Sequence, residues 1–269
     1  MQTLTYKALK ISYNTQTSIN DILVVEAPLQ ININKKAYTV VMRTPNNDKE
    51  LIRGLLFAED IYKSTETLVF NIDKEENGVA TIINVTIPIK LIGKGYLNKR
   101  TLLSVSSCGI CGKKELKDIK VNGDKLTQKN TFSSNLLHKM LSKMNSLQDT
   151  FKKSGGSHAA AIFNHQNTIL SIKEDIGRHN AVDKVVGDLL IKSELKQANY
   201  LIVSGRVSYE IVSKAFIAKI PIIVAVSACS SLAVDFAKEF GICLIGFTRE
   251  QKLTIYSNAS FVKTENINV

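Results

Sequence analysis

No apolar run in the chain is longer than residues 220–226, far short of the ~20 residues a membrane-crossing helix needs. That excludes a helical membrane span. Residues 1–14 alternate polar and apolar side chains without a hydrophobic block, so no secretory signal is expected. Cysteine is scarce, four in 269 residues, which excludes a disulfide-dense scaffold; without a secretory signal the thiols are expected to stay reduced. The sequence also lacks a Lys/Arg-rich block of the kind that forms a nucleic-acid arm. The net charge is nevertheless +11, mostly from lysines scattered along the chain. Such a balance suits an anionic partner without marking a patch, and nucleic-acid binding is not expected. Hydrophobic residues at 44% and charged residues at 22% are ordinary for a folded chain. The length fits one large or two small domains.

The first third is strand-rich. Residues 21–33 favour extended structure, and Pro28 within them points to an edge strand. Residues 38–42 read as a second strand, and Thr44-Pro45-Asn46-Asn47 as a turn. Leu51, Leu55, Leu56 and Ile61 recur at helical spacing across residues 48–62. Residues 79–89 and 100–105 read as further strands, the last running into a cysteine pair. Residues 113–131 are polar and lysine-rich around Asn122-Gly123-Asp124 and read as a connector. The chain thus divides into a strand-rich domain, residues 1–131, and a second domain, residues 132–269.

In the second domain, Ser133 or Ser134 can cap a helix reaching about residue 151. A strand pair at 158–163 and 168–173 follows, then a helix over 180–192. Strands at 200–204, 221–227 and 242–247 alternate with helices at 208–219 and 230–240. Alternation of this kind implies a largely parallel, helix-covered sheet, with ligands at the carboxyl ends of its strands. The fold class is α/β, or α+β when the front third is included.

The sharpest local signal is Ser106-Ser107-Cys108-Gly109-Ile110-Cys111-Gly112. A glycine after each cysteine frees the backbone and lets N–H groups approach sulfur, and such donors favour the nucleophilic thiolate. A zinc half-site competes, but the other cysteines form no second pair. A thioredoxin-like redox pair also competes, but that motif belongs at a helix start in a βαβ unit. Cys243, inside an apolar run, reads as a small buried hydrophobe. Cys229 lies in Ser227-Ala228-Cys229-Ser230-Ser231, between a strand and a helix start. A helix amino terminus lowers a thiol pKa, so a reactive Cys229 stands beside the reading of a thiol packed in a turn. Two strand-to-helix junctions, Ser204-Gly205-Arg206-Val207-Ser208 and residues 227–231, offer hydroxyls and helix amino termini to an anion. Arg206 adds a bidentate donor. Gly155-Gly156-Ser157-His158 and Asp175-Ile176-Gly177-Arg178-His179-Asn180 bring His158, His179, an arginine and an acid near the same unit. His138 and His165 read as structural.

Taken together, these segments resemble the FdhD family, sulfur carrier proteins required for formate dehydrogenase activity. The resemblance rests on Ser107-Cys108-Gly109-Ile110-Cys111-Gly112, Gly155-Gly156-Ser157-His158-Ala159-Ala160, the string from Glu174 to Lys184, Ser204-Gly205-Arg206 and Ser230-Ser231-Leu232-Ala233-Val234. Ala27-Pro28-Leu29, Met42-Arg43-Thr44-Pro45 and Gly246-Phe247-Thr248-Arg249 also fit. It implies an accessory protein of sulfurtransferase type that takes persulfide sulfur from a cysteine desulfurase and passes it to bis-molybdopterin guanine dinucleotide, destined for formate dehydrogenase. By the resemblance, Cys108 carries the persulfide and Cys111 assists. The cofactor, or its guanine nucleotide part, binds in a carboxyl-terminal domain of cytidine deaminase-like fold through Phe247, Thr248, Arg249, Glu250, Gln251 and Lys252. Ser204, Gly205, Arg206, His158 and His179 are added as binding candidates from their positions. A cytoplasmic homodimer is implied. One departure is Cys229, where many members carry proline. Deaminase chemistry is not expected: no histidine is followed by x-Glu, and no proline precedes Cys108. A dithiol oxidoreductase using Cys108 and Cys111, and a cofactor or nucleotide chaperone without sulfur chemistry, are the alternatives.

Overall fold

The computed structural model describes residues 2–97, 123–128, 131–249 and 252–263. It opens on a long hairpin of β1 (Thr3–Ser12) and β2 (Thr15–Val24), paired from Thr3 with Val24 to Ser12 with Thr15. Most of its side chains are exposed, Leu9, Ile11 and Tyr13 among them. A four-stranded sheet follows, ordered β4-β3-β6-β5, from β3 (Ala27–Ile33), β4 (Lys36–Arg43), β5 (Val69–Glu76) and β6 (Val79–Thr86). Pro28 does not mark an edge strand. β3 is internal, and β6 pairs with it only over residues 30–33, so the missing N–H of Pro28 falls outside that ladder.

Helix α1 (Asp48–Ala58) covers this sheet, burying Leu51, Ile52, Leu55 and Leu56 against Leu29, Ile31, Ile33, Ile83 and Val85. It ends four residues earlier than its apolar spacing predicts, and Ile61 and Tyr62 are buried beyond its end, with their N–H groups donating to Leu56 O.

The second layer is a six-stranded sheet ordered β13-β12-β11-β10-β8-β9. Its strands are β8 (His158–Phe163), β9 (Ile169–Asp175), β10 (Tyr200–Val203), β11 (Ile222–Ala225), β12 (Cys243–Arg249) and β13 (Lys252–Ile255). Only β10, β11 and β12 run parallel. β8–β9 and β12–β13 are antiparallel hairpin pairs, and β8 is also antiparallel to β10. The sheet is therefore less parallel than the sequence alternation suggests, because a hairpin reverses the chain where a helical crossover would preserve direction.

Both faces are covered, and the period of two sorts the strand residues between them. Ala160, Ile162, Leu201 and Val203 face α4 (Arg178–Ile191), α5 (Tyr209–Ile217) and α6 (Ser231–Phe240). Ala159, Ala161, Phe163, Tyr200 and Ile202 face α2 (Ser134–Ser146). The helix expected to reach residue 151 breaks at Leu147 and Gln148, and α3 (Asp149–Ser154) follows. Ser133 caps α2, its side chain accepting from Asn135 N. The short strands β7 (Phe132–Ser133) and β14 (Val262–Lys263) pair in parallel.

The two layers meet where α1 crosses α4. A Cβ on Gly54 would overlap the backbone of Asp183, and one on Gly187 would overlap the backbone of Glu50. Glycine at both positions lets the helix backbones touch.

Candidate functional site

The exits of β10, β11 and β12 lie on one edge and are joined by backbone bonds. Val207 N donates to Ala228 O at 3.0 Å, Ser230 N to Val207 O at 3.0 Å, and Phe247 N to Ser227 O at 3.0 Å. Because β8 runs the other way, its first residue, His158, reaches the same edge. Ala159 N donates to Ser204 Oγ at 2.9 Å, and Ser204 N to Ala159 O at 3.0 Å. An added Cβ on Gly205 would sit 3.1 Å from His158 Nδ1 and 3.4 Å from the Arg178 Cβ. Glycine there permits the close approach of His158 and of the start of α4, which supplies Arg178 and His179.

The edge is electropositive. Burial, followed by the charges of Arg178, Arg206 and His179, pushes the His158 imidazole below its ordinary pKa. It is therefore a neutral imidazole at neutral pH, able to donate or accept a hydrogen bond. Arg178 Nε is buried with no hydrogen-bond partner among the described residues, and so is Thr248 Oγ1. A buried donor left unpaired costs about 1–3 kcal/mol, and an anionic ligand would satisfy it. Phe247 is exposed and has φ of 50°. A bulky side chain in that left-handed region is strained, and such strain clusters at ligand sites.

Residues 175–184 divide by role. Asp175 and Lys184 are fully buried and 2.7 Å apart. Asp175 Oδ1 accepts from Gly177 N and Asn180 Nδ2, and its Oδ2 accepts from Thr44 N. Lys184 Nζ donates to Thr44 O at 2.8 Å, and Asn180 Nδ2 to Met42 O at 2.8 Å. Met42-Arg43-Thr44-Pro45 and Asp175-Ile176-Gly177-Arg178-His179-Asn180, far apart in sequence, are thus one clamp between the layers. Arg178 remains for the edge.

His179 turns inward. Its Nε2 lies 3.1 Å from Ser208 Oγ and its Nδ1 3.0 Å from Glu210 Oε2. Behind Glu210, Lys214 Nζ lies 3.1 Å from Glu210 Oε1 and 2.5 Å from Asp183 Oδ2. Burial opposes ionisation of Glu210, but the Lys214 charge and His179 outweigh it and hold that carboxyl at about 2. Burial pushes Asp183 up to about 6, against the pull of Lys214.

Of the residues expected from sequence, His158, Ser204, Gly205, Arg206, Phe247, Thr248 and Arg249 come together at this edge. Lys252 joins them opposite Arg249 across the β12–β13 pair. Cys108, Cys111, Glu250 and Gln251 lie outside the described residues. Of the two readings of Cys229, the structure favours the thiol packed in a turn over the helix-activated one. Burial pushes it up to about 11, and it packs close to Gly246, where an added Cβ would lie 3.0 Å from its sulfur. Cys243 is fully buried, as its apolar surroundings predict. Among the described residues no three His, Cys, Asp or Glu side chains converge to hold a metal ion.

Sequence reasoning had Arg178 and Ser208 only as members of junction motifs, and passed over Glu210. Ser208 and Glu210 stand beside the Ser-Gly-Arg junction, where a serine reads simply as a helix cap. Only the fold shows that His179, 29 residues earlier, lies between them.

Over residues 24–263 the sequence matches the FdhD/NarQ family. It is 36% identical over 262 residues to the sulfur carrier protein FdhD of Sulfurisphaera tokodaii, covering 96% of this chain and 98% of that one. It is 41% identical over 245 residues to the sulfur carrier protein FdhD of Saccharolobus solfataricus, covering 89% and 90%. The fold matches a crystal structure from Desulfotalea psychrophila, described as that of a formate dehydrogenase accessory protein, with a TM-score of 0.76 at 19% identity over 98% of this chain and 100% of that one. With one family spanning most of its length and relatives this similar nearly end to end, the chain belongs to the FdhD/NarQ family.

Proposed function

We propose that this protein is a sulfur carrier for formate dehydrogenase maturation. In this reading Cys108 accepts a persulfide sulfur from a cysteine desulfurase, Cys111 assists its release, and the acceptor is bis-molybdopterin guanine dinucleotide held at the electropositive edge. The observation that carries the binding half is the convergence of Arg178, Arg206, neutral His158 and the starts of α4 and α5 at the exits of three parallel strands. Two pyrophosphates on one ligand suit such a place. The order of the six-stranded sheet, an antiparallel hairpin beside three parallel strands, supports a cytidine deaminase-like assignment for residues 132–269. The sulfur half rests on family membership and on the glycine-flanked Cys108–Cys111 pair. The protonated state of Cys229 supports assigning that chemistry to the pair. The exposed apolar residues of the β1–β2 hairpin are consistent with the homodimer that the resemblance implies. No helix among the described residues is long and apolar enough to cross a membrane.

The test is peptide mass spectrometry after incubation with a cysteine desulfurase and cysteine. One added sulfur on the Cys108–Cys111 peptide, absent in Cys108→Ala, is expected; sulfur found only at Cys229, or none, would overturn the assignment. Arg206→Ala should weaken guanine nucleotide binding by about tenfold, the scale of one charge-assisted contact. Unchanged affinity would remove Arg206 from the site.

A further inference from the structure

Ser208 occupies the cap position of α5, yet its side chain accepts no hydrogen bond from that helix. Its Oγ lies instead 3.1 Å from His179 Nε2, while the other ring nitrogen lies 3.0 Å from Glu210 Oε2. A hydroxyl, an imidazole and a carboxylate in that order is the arrangement that activates a nucleophilic serine. Such an arrangement is recognised by geometry and not by position in the chain.

Asp183, Glu210 and Lys214 make a buried cluster with one excess negative charge when all are ionised, and Glu210 presents it to His179. Glu210 Oε2 faces the ring nitrogen opposite Ser208 and holds the imidazole in place. Arg178 and Arg206 bring positive charge from the strand-exit edge, but Glu210 meets the ring directly, at 3.0 Å. Ser208 is half-buried, so its oxygen is neither sealed in the core nor fully bathed in water.

We propose that Ser208, His179 and Glu210 form a nucleophilic hydrolytic site. Its substrate is an acyl ester or thioester whose alcohol or thiol part carries phosphate, held by Arg178 and Arg206. Ser208 Oγ adds to the acyl carbon while its proton passes to His179 Nε2. The imidazolium returns that proton to the departing alkoxide or thiolate, leaving an acyl-serine. Water, losing its proton to the same imidazole, attacks the acyl carbon; the carboxylic acid departs and the serine regains its proton. No oxidant or reductant is required. The site does not depend on Cys108 or Cys111, so it stands apart from sulfur transfer.

The probe is an alkyl fluorophosphonate, which traps a nucleophilic serine by displacement of fluoride. Full-length protein should gain one phosphonyl group, and fragmentation of the peptide from Val207 to Lys214 should place it on Ser208. Cys108→Ala should label like the native chain, and Ser208→Ala should not label. His179→Asn and, separately, Glu210→Gln should each slow labelling; for His179→Asn the loss is roughly 100-fold, the range of a lost general base. Should His179→Asn fail to fold, the native chain and Glu210→Gln still decide the question, since label must sit on Ser208 in the first and form more slowly in the second. Absence of label on Ser208, or a rate indifferent to both variants, would overturn the proposal. Retained labelling with no persulfide on Cys108 would sink the sulfur-carrier reading and leave this one standing.

Discussion

Single side chains at the strand-exit edge owe their properties to what surrounds them more than to where they stand in the sequence. Cys229 follows a strand and precedes a helix, a position that by itself would promote a thiolate. Burial prevails and the thiol is pushed up from 9.0 to about 11. At pH 8 its thiolate population is then roughly 100-fold below that of an ordinary cysteine, because the ionised fraction falls about tenfold each time the pKa rises by one. Iodoacetamide should therefore alkylate Cys229 about two orders of magnitude more slowly in the native protein than in urea, as peptide mass spectrometry over a time course would show. Equal rates in the two states would mean that the thiol is not held as described. Cys229 thus contributes a protonated, half-buried thiol.

Among the elements, the crossing of α1 and α4 is the joint on which the architecture turns. Gly54 and Gly187 each face the other helix's backbone with no room for a methyl group. Helix propensity alone would make Gly→Ala stabilising by about 1 kcal/mol. Overpacking a close contact costs about 1–3 kcal/mol, and here the obstacle is backbone, which cannot swing aside. Gly54→Ala and Gly187→Ala are both expected to lower stability, read as a lower urea midpoint by far-ultraviolet circular dichroism. A raised midpoint would contradict the packing. What the sequence disclosed, and what it hid, divides along the same physical line. The strands and helices from β8 to β12 were legible because their apolar residues are buried and keep a regular period, whereas the short β13 and β14 were not. The β1–β2 hairpin was not, since Leu4, Tyr6, Leu9 and Ile11 are exposed and no face repeats. β5 was missed for a similar reason, lying at a sheet edge with mostly exposed side chains. The junctions that line the strand-exit edge were legible from short motifs, whereas the contact of His179 with Ser208 and Glu210 depends on two helix starts meeting in space.

For the whole molecule, acid stability should reflect two buried carboxylates pulling in opposite directions. Asp183 has its native pKa raised from 3.8 to about 6. The native state therefore binds this proton more readily than the unfolded chain, so its contribution improves as pH falls through about 6 and is lost as pH rises. Glu210 is lowered from 4.5 to about 2, so its contribution is in place above 4.5 and is lost as pH falls toward 2. The urea midpoint should accordingly rise between pH 6 and 4.5, level off as the two effects oppose, and drop below about 3.8, with a shallower drop in Glu210→Gln. A midpoint falling steadily from pH 7 to 5 would show that other groups govern the acid response.

The shared carboxylate of Asp175 carries one more consequence. Its Oδ2 is bound at once by Thr44 of the front layer and Lys184 of the rear one, so neither half closes its own polar accounts. Natural or engineered recombination between relatives is thereby constrained. A chimera that takes the front layer from another member should work only if residues 42–45 and 174–184 come from the same parent. What the two parents must share at this joint is the backbone path of residues 42–45, which supplies Thr44 N, Thr44 O and Met42 O to the rear layer.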